Sequence, residues 1–345
     1  MFDGLSLPVL VVIGAGAALV ILLVGLRMTG LADRIADRTG LGEAVVGGVL
    51  LGAATSFSGT IVSLTAALDG RASLAFSNGI GGIAAQTAFL AIADIVYRRA
   101  NLEHAAAELA NVFQCGVLMV LLAIPVAAFT APEIAFWGVH PASFVLVVVY
   151  AYGVGATARL RERPMWKPVE TDETRTDEPE DGDTPDNPAR WLILRFVGLM
   201  LLLGTAGWVI SQVAAQLVDR LGLSASLVGA LVTAVITSLP ELVTTIAAVR
   251  RGALQLAVGG IIGGNTFDTL FLTIADVGYR EGSIYHAVGS DDLFWLATGM
   301  LMTAVLMLGL IFREKSGPGR IGRESVLLLS IYAIAIGVQM SAGWG

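Results

Sequence analysis

TSLPELVTTIAAVRRGALQLAVGGIIGGNTFDTLFLTIAD, residues 237–276, and TSFSGTIVSLTAALDGRASLAFSNGIGGIAAQTAFLAIAD, residues 55–94, are one pattern written twice. They align without a gap at a constant offset of 182 residues. In register are Thr55/Thr237, Ser56/Ser238, Gly70/Gly252, Gly81/Gly263, Gly82/Gly264, Phe89/Phe271 and Asp94/Asp276. Two apolar helices share composition easily, but polar residues in register along the whole stretch do not arise that way. Each copy sets Thr-Ser, followed closely by Pro or Gly, inside an apolar run. Proline removes a backbone donor and glycine relaxes helical geometry, so carbonyls come free. Free carbonyls at bilayer depth are tolerated only where protein buries them or a hydrated cavity receives them. The next run carries Gly79-x-Gly81-Gly82 or Gly259-Gly260-x-x-Gly263-Gly264, a small-residue face that lets helices approach closely.

Outward from the repeat, the chain is apolar almost throughout. Of its 345 residues 55 % are hydrophobic and only 14 % charged, too little polar surface for a soluble domain of that length. A span needs about 20 apolar residues. Gly4–Leu26, Val45–Leu68, Ala72–Ala93, Leu109–Pro132, Ile134–Ala158, Leu293–Phe312 and Ser325–Gly345 qualify without a charge. Three more, near 191–218, 222–249 and 254–279, carry one or two polar interruptions. Ten spans put Arg27, Arg34, Arg38, Arg98, Arg99, Arg159, Arg161, Arg163, Lys167, Arg175, Arg190, Arg250, Arg251, Arg313, Lys315, Arg320 and Arg323 in one set of alternating loops. The opposite set holds only Arg71, Arg220 and Arg280. The positive-inside rule makes the first set cytoplasmic and both termini extracellular, in the plasma membrane. On that count the two copies enter the bilayer from opposite sides. The expected fold is an all-α polytopic membrane protein, ten transmembrane helices in two inverted five-helix repeats.

The expected domains are 1–163, with the first repeat at about 45–98, and 190–345, with the second at about 225–279. Between them, residues 164–189 hold nine acids from Glu170 to Asp186 and five prolines, which predicts a disordered cytoplasmic linker. Much of the net charge of −7 lies there. Residues 28–40 space Asp33, Arg34, Asp37 and Arg38 as an interfacial amphipathic helix does. No basic n-region precedes the first apolar run, so it reads as a span rather than a cleaved signal. The single cysteine, Cys115, reads as a buried thiol and excludes an intrachain disulfide framework. His104, His140 and His286 fall at loops or span ends and read as interfacial residues.

Carboxylates inside spans carry the chemistry. Glu241 and Asp268 fall well inside apolar runs, where an ionised acid costs about 2.5–3.5 kcal/mol on insertion scales. Their neighbours Thr55, Ser56, Thr237, Ser238, Gln86 and Asn265 are oxygen-bearing, which suits hard cations such as Na⁺ and Ca²⁺. Without nearby Cys or His, a transition-metal site is disfavoured. Asp94 and Asp276, near span ends beside Arg98, Arg99 and Arg280, read as interfacial helix-end charges.

TSLPELVTTIAAVRRG followed by GGIIGGNTFD resembles the second repeat of the sodium/calcium exchanger family of cation/Ca²⁺ antiporters. The resemblance implies that Glu241 is the ion-binding glutamate and Asp268 the acid or amide of the following helix. It implies that Thr237 and Ala234 offer carbonyls, with Ser238 beside them. In the first repeat it matches Thr55 and Ser56 and puts Gln86 at the amide position. It also implies alternating access, with the first and sixth helices sliding on the remaining bundle. Where the family has Pro-Glu in the first repeat, this chain has Ser58-Gly59, and Gly82 and Gly264 stand where serines are usual. One fewer carboxylate weakens a Ca²⁺ site, because affinity tracks ligand charge.

The expected function is therefore secondary cation antiport, with Na⁺ and Ca²⁺ as cargo and H⁺ as a further candidate. A monovalent Na⁺/H⁺ exchanger of the same fold, or a non-transporting ion sensor, is the alternative. No Ser/His dyad, HExxH or phosphate-binding Gly loop supports an enzyme. No cofactor and no nucleic acid partner is expected; the partners are lipid and small cations, and the chain reads as a monomer.

Overall fold

The computed structural model describes residues 2, 4–39, 52–97, 99–174, 189–317 and 321–342. Its helices are α1 (Leu7–Thr39), α2 (Gly52–Thr55), α3 (Phe57–Leu68), α4 (Ala72–Val96), α5 (Leu102–Ala105), α6 (Leu109–Thr130) and α7 (Pro141–Glu162). After the linker come α8 (Ala189–Leu221), α9 (Ala225–Thr237), α10 (Leu239–Arg251), α11 (Leu254–Asp268), α12 (Leu270–Gly278), α13 (Ile284–Ala287), α14 (Ser290–Phe312) and α15 (Arg323–Ala342). Among the described residues the only β feature is a bridge between Phe136 and Val139.

Among the described residues, eight helical segments are long and apolar enough to cross a membrane, with α11 and α12 acting as one. The α9–α10 pair, bent by 46°, makes a ninth. The apolar α3 is shorter, and residues 45–51 of the expected Val45–Leu68 span lie outside the described residues. The expected interfacial helix at 28–40 is the continuation of α1. The span expected from Ile134 starts instead at Pro141, because Trp137 and Gly138 turn the chain at positive φ and His140 caps α7. Of the expected linker, residues 164–174 are described and non-helical, with Glu173 Oε1 2.5 Å from Lys315 Nζ. Its acidic remainder, 175–188, lies outside the described residues.

Polarity runs opposite to that of a soluble protein. Val12, Leu201, Leu308 and Ile334 face outward, whereas Asn78, Gln86, Thr233 and Asn265 are buried. Lipid solvates the former at no cost, while the latter must find partners inside. At the centre runs α4, buried along nearly its whole length. It packs against α3, α9, α10, α11, α12, α14 and α15. Outside this core α1 lies along α8, which also covers α3. The multi-pass helical architecture thus places one polar helix where every broken helix can touch it.

Close approach explains the glycine face. A Cβ on Gly81 would lie only 2.3 Å from Ala230 Cα, so α4 and α9 are in backbone contact there. The matched Gly70 and Gly252 end α3 and α10 at φ of 71° and 87°. Behind them, Arg71 N–H donates to Ala66 O at 2.8 Å and Ala253 N–H to Ala248 O at 3.0 Å, a left-handed helix stop that glycine favours.

Two carboxylates lock the far ends of the chain together. Asp94 and Asp276, expected at the interface, are both fully buried. Asp94 accepts Leu102 N–H at 2.7 Å and Gly322 N–H at 2.9 Å, the latter at the start of α15. Asp276 accepts Ile284 N–H at 3.2 Å and His140 N–H at 2.7 Å, the latter at the start of α7. Every partner again differs by 182 in residue number: Leu102 with Ile284, and His140 with Gly322. The Ser143 hydroxyl adds a bond of 2.8 Å to Asp276. Anions at helix N-termini meet orphan N–H groups and a favourable dipole. Asp276→Ala strands three donors and is expected to cost about 3 kcal/mol or more, since each unsatisfied buried group costs about 1–3 kcal/mol. Thermal unfolding in detergent should show a large drop in Tm, with Asp276→Asn intermediate.

Candidate functional site

The site forms where two spans break. Ser56, between α2 and α3, has φ −83° and ψ 1°; Ser238, between α9 and α10, has φ −96° and ψ 4°. Both sit in the sparsely populated bridge region, and both follow the matched threonine. Pro240, two residues after Ser238, falls in the first turn of α10, where its missing N–H does no harm. A π-helical turn, Val228–Thr233, precedes the second break and underwinds α9 where it packs on α4. Such turns recur at functional positions.

Around the breaks the expected residues converge. Gln86 Nε2 donates to Asp268 Oδ2 at 2.6 Å and to Ser238 Oγ at 3.2 Å. The Thr55 hydroxyl bonds the Glu241 carboxylate, and Ser56 Oγ lies beside Asp268 without a well-formed hydrogen bond. Glu241 and Asp268 are 6 % and 2 % exposed and close enough for their charges to interact. Thr237 Oγ1 donates to Thr233 O at 3.0 Å and to Ala234 O at 3.2 Å. The Ala234 carbonyl also accepts Ser238 N–H at 3.1 Å. All eight residues singled out in the sequence are buried around these two breaks. Asn265 stands apart, donating to Thr87 Oγ1 at 3.0 Å.

What the cluster lacks is donors. Glu241 Oε2, Asp268 Oδ1, Gln86 Oε1 and Ser56 Oγ are buried without a hydrogen-bond partner. An oxygen-only set with unspent lone pairs and two acids fits a hard cation. Among the described residues no three His, Cys, Asp or Glu side chains gather as a metal cage. Glycine at the matched positions 82 and 264 leaves room for this: a Cβ there would lie 3.5 Å from Asp268 Oδ2 or 3.1 Å from Gln86 Oε1.

The space opposite Glu241 is filled differently. At Gly59, the position matched to Glu241, a Cβ would lie 2.7 Å from the Phe271 ring and 3.4 Å from Thr237 Oγ1. Phe271 takes the volume that a first-repeat glutamate would need, in edge-on contact with Phe267, which in turn meets Tyr150 edge-on. One residue not singled out in the sequence, Asn78, completes the region. Asn78 Nδ2 donates to Gly59 O at 3.0 Å and to Ser63 Oγ at 2.9 Å, while its Oδ1 accepts from Thr233 Oγ1 at 2.7 Å. Asn78 thus ties the carbonyl of the first broken helix to the π-turn of the second. An amide amid the apolar run Ala72–Ala93 was the available signal.

Comparison with known proteins agrees with this geometry. The model of the family described as sodium/calcium exchanger protein matches residues 9–156 and 191–341. A putative antiporter, CaxA, of Alkalimonas amylolytica is 27 % identical over 303 residues, covering 87 % of this chain and 89 % of the relative. The sodium/calcium exchanger MaX1 of Methanosarcina acetivorans is 32 % identical over 94 residues, 27 % of this chain and 25 % of that one. Among solved structures, the sodium-calcium exchanger NCX_Mj, soaked with Na⁺ and Sr²⁺, superposes with a TM-score of 0.59 at 19 % identity, covering 95 % of this chain and 99 % of that one. Native YfkE superposes with a TM-score of 0.61 at 13 % identity, covering 94 % and 91 %. The fold is shared with both, and the family model accounts for both sides of the acidic linker. This chain belongs to the sodium/calcium exchanger protein family of membrane antiporters.

Proposed function

We propose that the chain exchanges Na⁺ for a second cation, Ca²⁺ in the first instance, by alternating access around Glu241 and Asp268. One observation carries this: two buried carboxylates, each with an oxygen lacking any donor, meet at the breaks of two helices. Cations supply what the protein withholds. Bound there, one Ca²⁺ or two Na⁺ neutralise both acids, with Thr55, Ser56, Gln86, Thr237, Ser238 and the Ala234 carbonyl as the surrounding oxygens. The chain works as a monomer in the plasma membrane, with both termini outside and the acidic linker in the cytoplasm, as the arginine distribution supports.

In this reading α2–α3 is the tenth span, and the halves are inverted repeats. The clasps at Asp94 and Asp276 support it, as do matched helix crossings. Gly25 of α1 meets Pro240, and Gly207 of α8 meets Ser58; a Cβ at either glycine would lie 2.5 Å from its neighbour. Both pairs again differ by 182 in residue number. Each long outer helix therefore crosses the first turn after a break. Sliding α1 and α8 together uncovers one broken helix while covering the other, which is alternating access.

Gly59 favours a second reading, a monovalent exchanger of the same fold. With Phe271 in place of a carboxylate, the site carries two acids, enough for Na⁺ or H⁺ and weak for Ca²⁺.

Proteoliposomes decide between them. Under opposing Na⁺, Ca²⁺ and pH gradients, Na⁺-driven uptake of radioactive calcium is the expected result, falling to background in Glu241→Gln. Sodium flux driven only by a pH gradient would establish the second reading, and no flux of either ion would overturn both. Gly59→Glu alone is expected to destabilise the protein by clashing with Phe271. The double variant Gly59→Glu/Phe271→Ala makes room for a third carboxylate and should tighten Ca²⁺ binding by about tenfold or more, since affinity tracks ligand charge. Calorimetric titration in detergent measures this.

A further inference from the structure

The two clasps are matched in every donor but differ in one neighbour. Beside Asp276, Tyr285 Oη and Ser143 Oγ share a hydrogen bond of 2.8 Å. At the matched place beside Asp94 stands Glu103, whose Oε1 faces Ser325 Oγ at 3.4 Å. Ser325 matches Ser143, and its hydroxyl also reaches Asp94. A neutral phenol in one clasp is therefore a carboxyl in the other.

Glu103 is 2 % exposed, and its Oε2 has no hydrogen-bond partner. A Cβ built on Gly322 would lie 3.3 Å from Asp94 Oδ2 and 3.4 Å from Glu103 Oε2, so both carboxyls converge on the residue that starts α15. From α15 itself, Glu324 adds a third negative charge. Among the described residues, the bases at this end are engaged elsewhere or exposed. His104 bonds Arg313 O at 2.7 Å and Thr171 at 2.9 Å. The Arg313 guanidinium donates to Val169 O and His104 O. Arg323 pairs with Glu314 at 3.3 Å, Lys315 pairs with Glu173, and Arg99, Arg250 and Arg251 are exposed. Toward α11 and α14 the surroundings are apolar: Leu254, Val258, Leu306 and Leu310.

Two adjacent buried acids without a cation cannot both ionise cheaply. We propose that Asp94 and Glu103 hold one shared proton, and that losing it to water unseats the start of α15 from α4. The proton site is a pH-sensitive clasp at one end of the molecule, absent at the other.

Desolvation, reinforced by the charge on Asp94, pushes the Glu103 carboxyl up to about 8 from an ordinary 4.5. Between those values the folded protein binds more protons than the unfolded chain. This contribution to stability is complete below 4.5 and lost as pH rises through about 8.

The test is hydrogen exchange at Gly322–Ser325 in purified wild type, Glu103→Gln and Glu103→Tyr, corrected for intrinsic rates. Tyrosine is the residue already accommodated at the matched place, so that variant guards against a failure of glutamine to fold. In wild type, protection should fall by about tenfold per pH unit between 4.5 and about 8 and level off above, as one linked proton requires. Both variants should stay flat, as should His140–Ser143 in all three proteins. Infrared difference spectra of wild type alone, between about pH 6 and about pH 9, should lose one buried carboxyl band. Flat protection in wild type, the same slope in the variants, or no lost carboxyl band would overturn the proposal.

Discussion

A carboxylate removed from water must be given donors or a cation, and the architecture follows from how each buried acid meets that demand. Asp276 receives two backbone N–H groups and a hydroxyl, and it becomes a fastener. Asp268 receives the Gln86 amide as its well-formed donor, and Glu241 a threonine hydroxyl and its own backbone N–H, yet each retains an unsatisfied oxygen. The helix breaks at Ser56 and Ser238, the π-turn before the second and the glycines that let α4 close in all serve to bring oxygens, rather than donors, to those two acids. Generous N–H solvation would stabilise the protein further and use up the oxygens on which the proposed cation site rests.

Matched positions divide the molecule into what its two halves share and what they do not. Shared pairs such as Thr55/Thr237, Ser56/Ser238, Gly70/Gly252 and Asp94/Asp276 set backbone geometry: breaks, stops and clasps. Unshared pairs set chemistry. Gly59 faces Glu241, Gln86 faces Asp268, and Glu103 replaces Tyr285. Gln86 and Asp268 are hydrogen-bonded to each other, so the matched pair that differs also meets at the centre. An amide beside an acid can donate where a second acid would repel, which keeps one fixed charge rather than two at that point.

Much of this was legible beforehand because it is local. Thr-Ser followed by Pro or Gly marks each break, the glycine runs mark close approach, and Glu241 and Asp268 are conspicuous against apolar surroundings. What stayed hidden is non-local. Each of Asp94 and Asp276 has one backbone N–H partner more than a hundred positions away, and a main-chain donor leaves no signature in a string of side chains. Adjacent arginines therefore made both acids look interfacial. Phe271 at Gly59 was hidden for a related reason: an apolar residue in an apolar run announces nothing about which void it fills. The start of α7 moved to Pro141 because turn chemistry at Trp137 and Gly138 outweighed continuous hydrophobicity.

The crossed clasps also impose an order on synthesis. Asp94 is made early, yet the Gly322 amide it holds belongs to the start of the final helix. A ribosome delivers the chain from its N-terminus at about 5–20 residues per second, so the first half must wait in the bilayer with that acid unfastened. Asp276, by contrast, finds α7 already inserted when it emerges. The first half is thus a bench that receives the second, and its own last joint closes only when the chain is nearly complete. Truncation just before α15 would leave Asp94 buried and short of that helix cap.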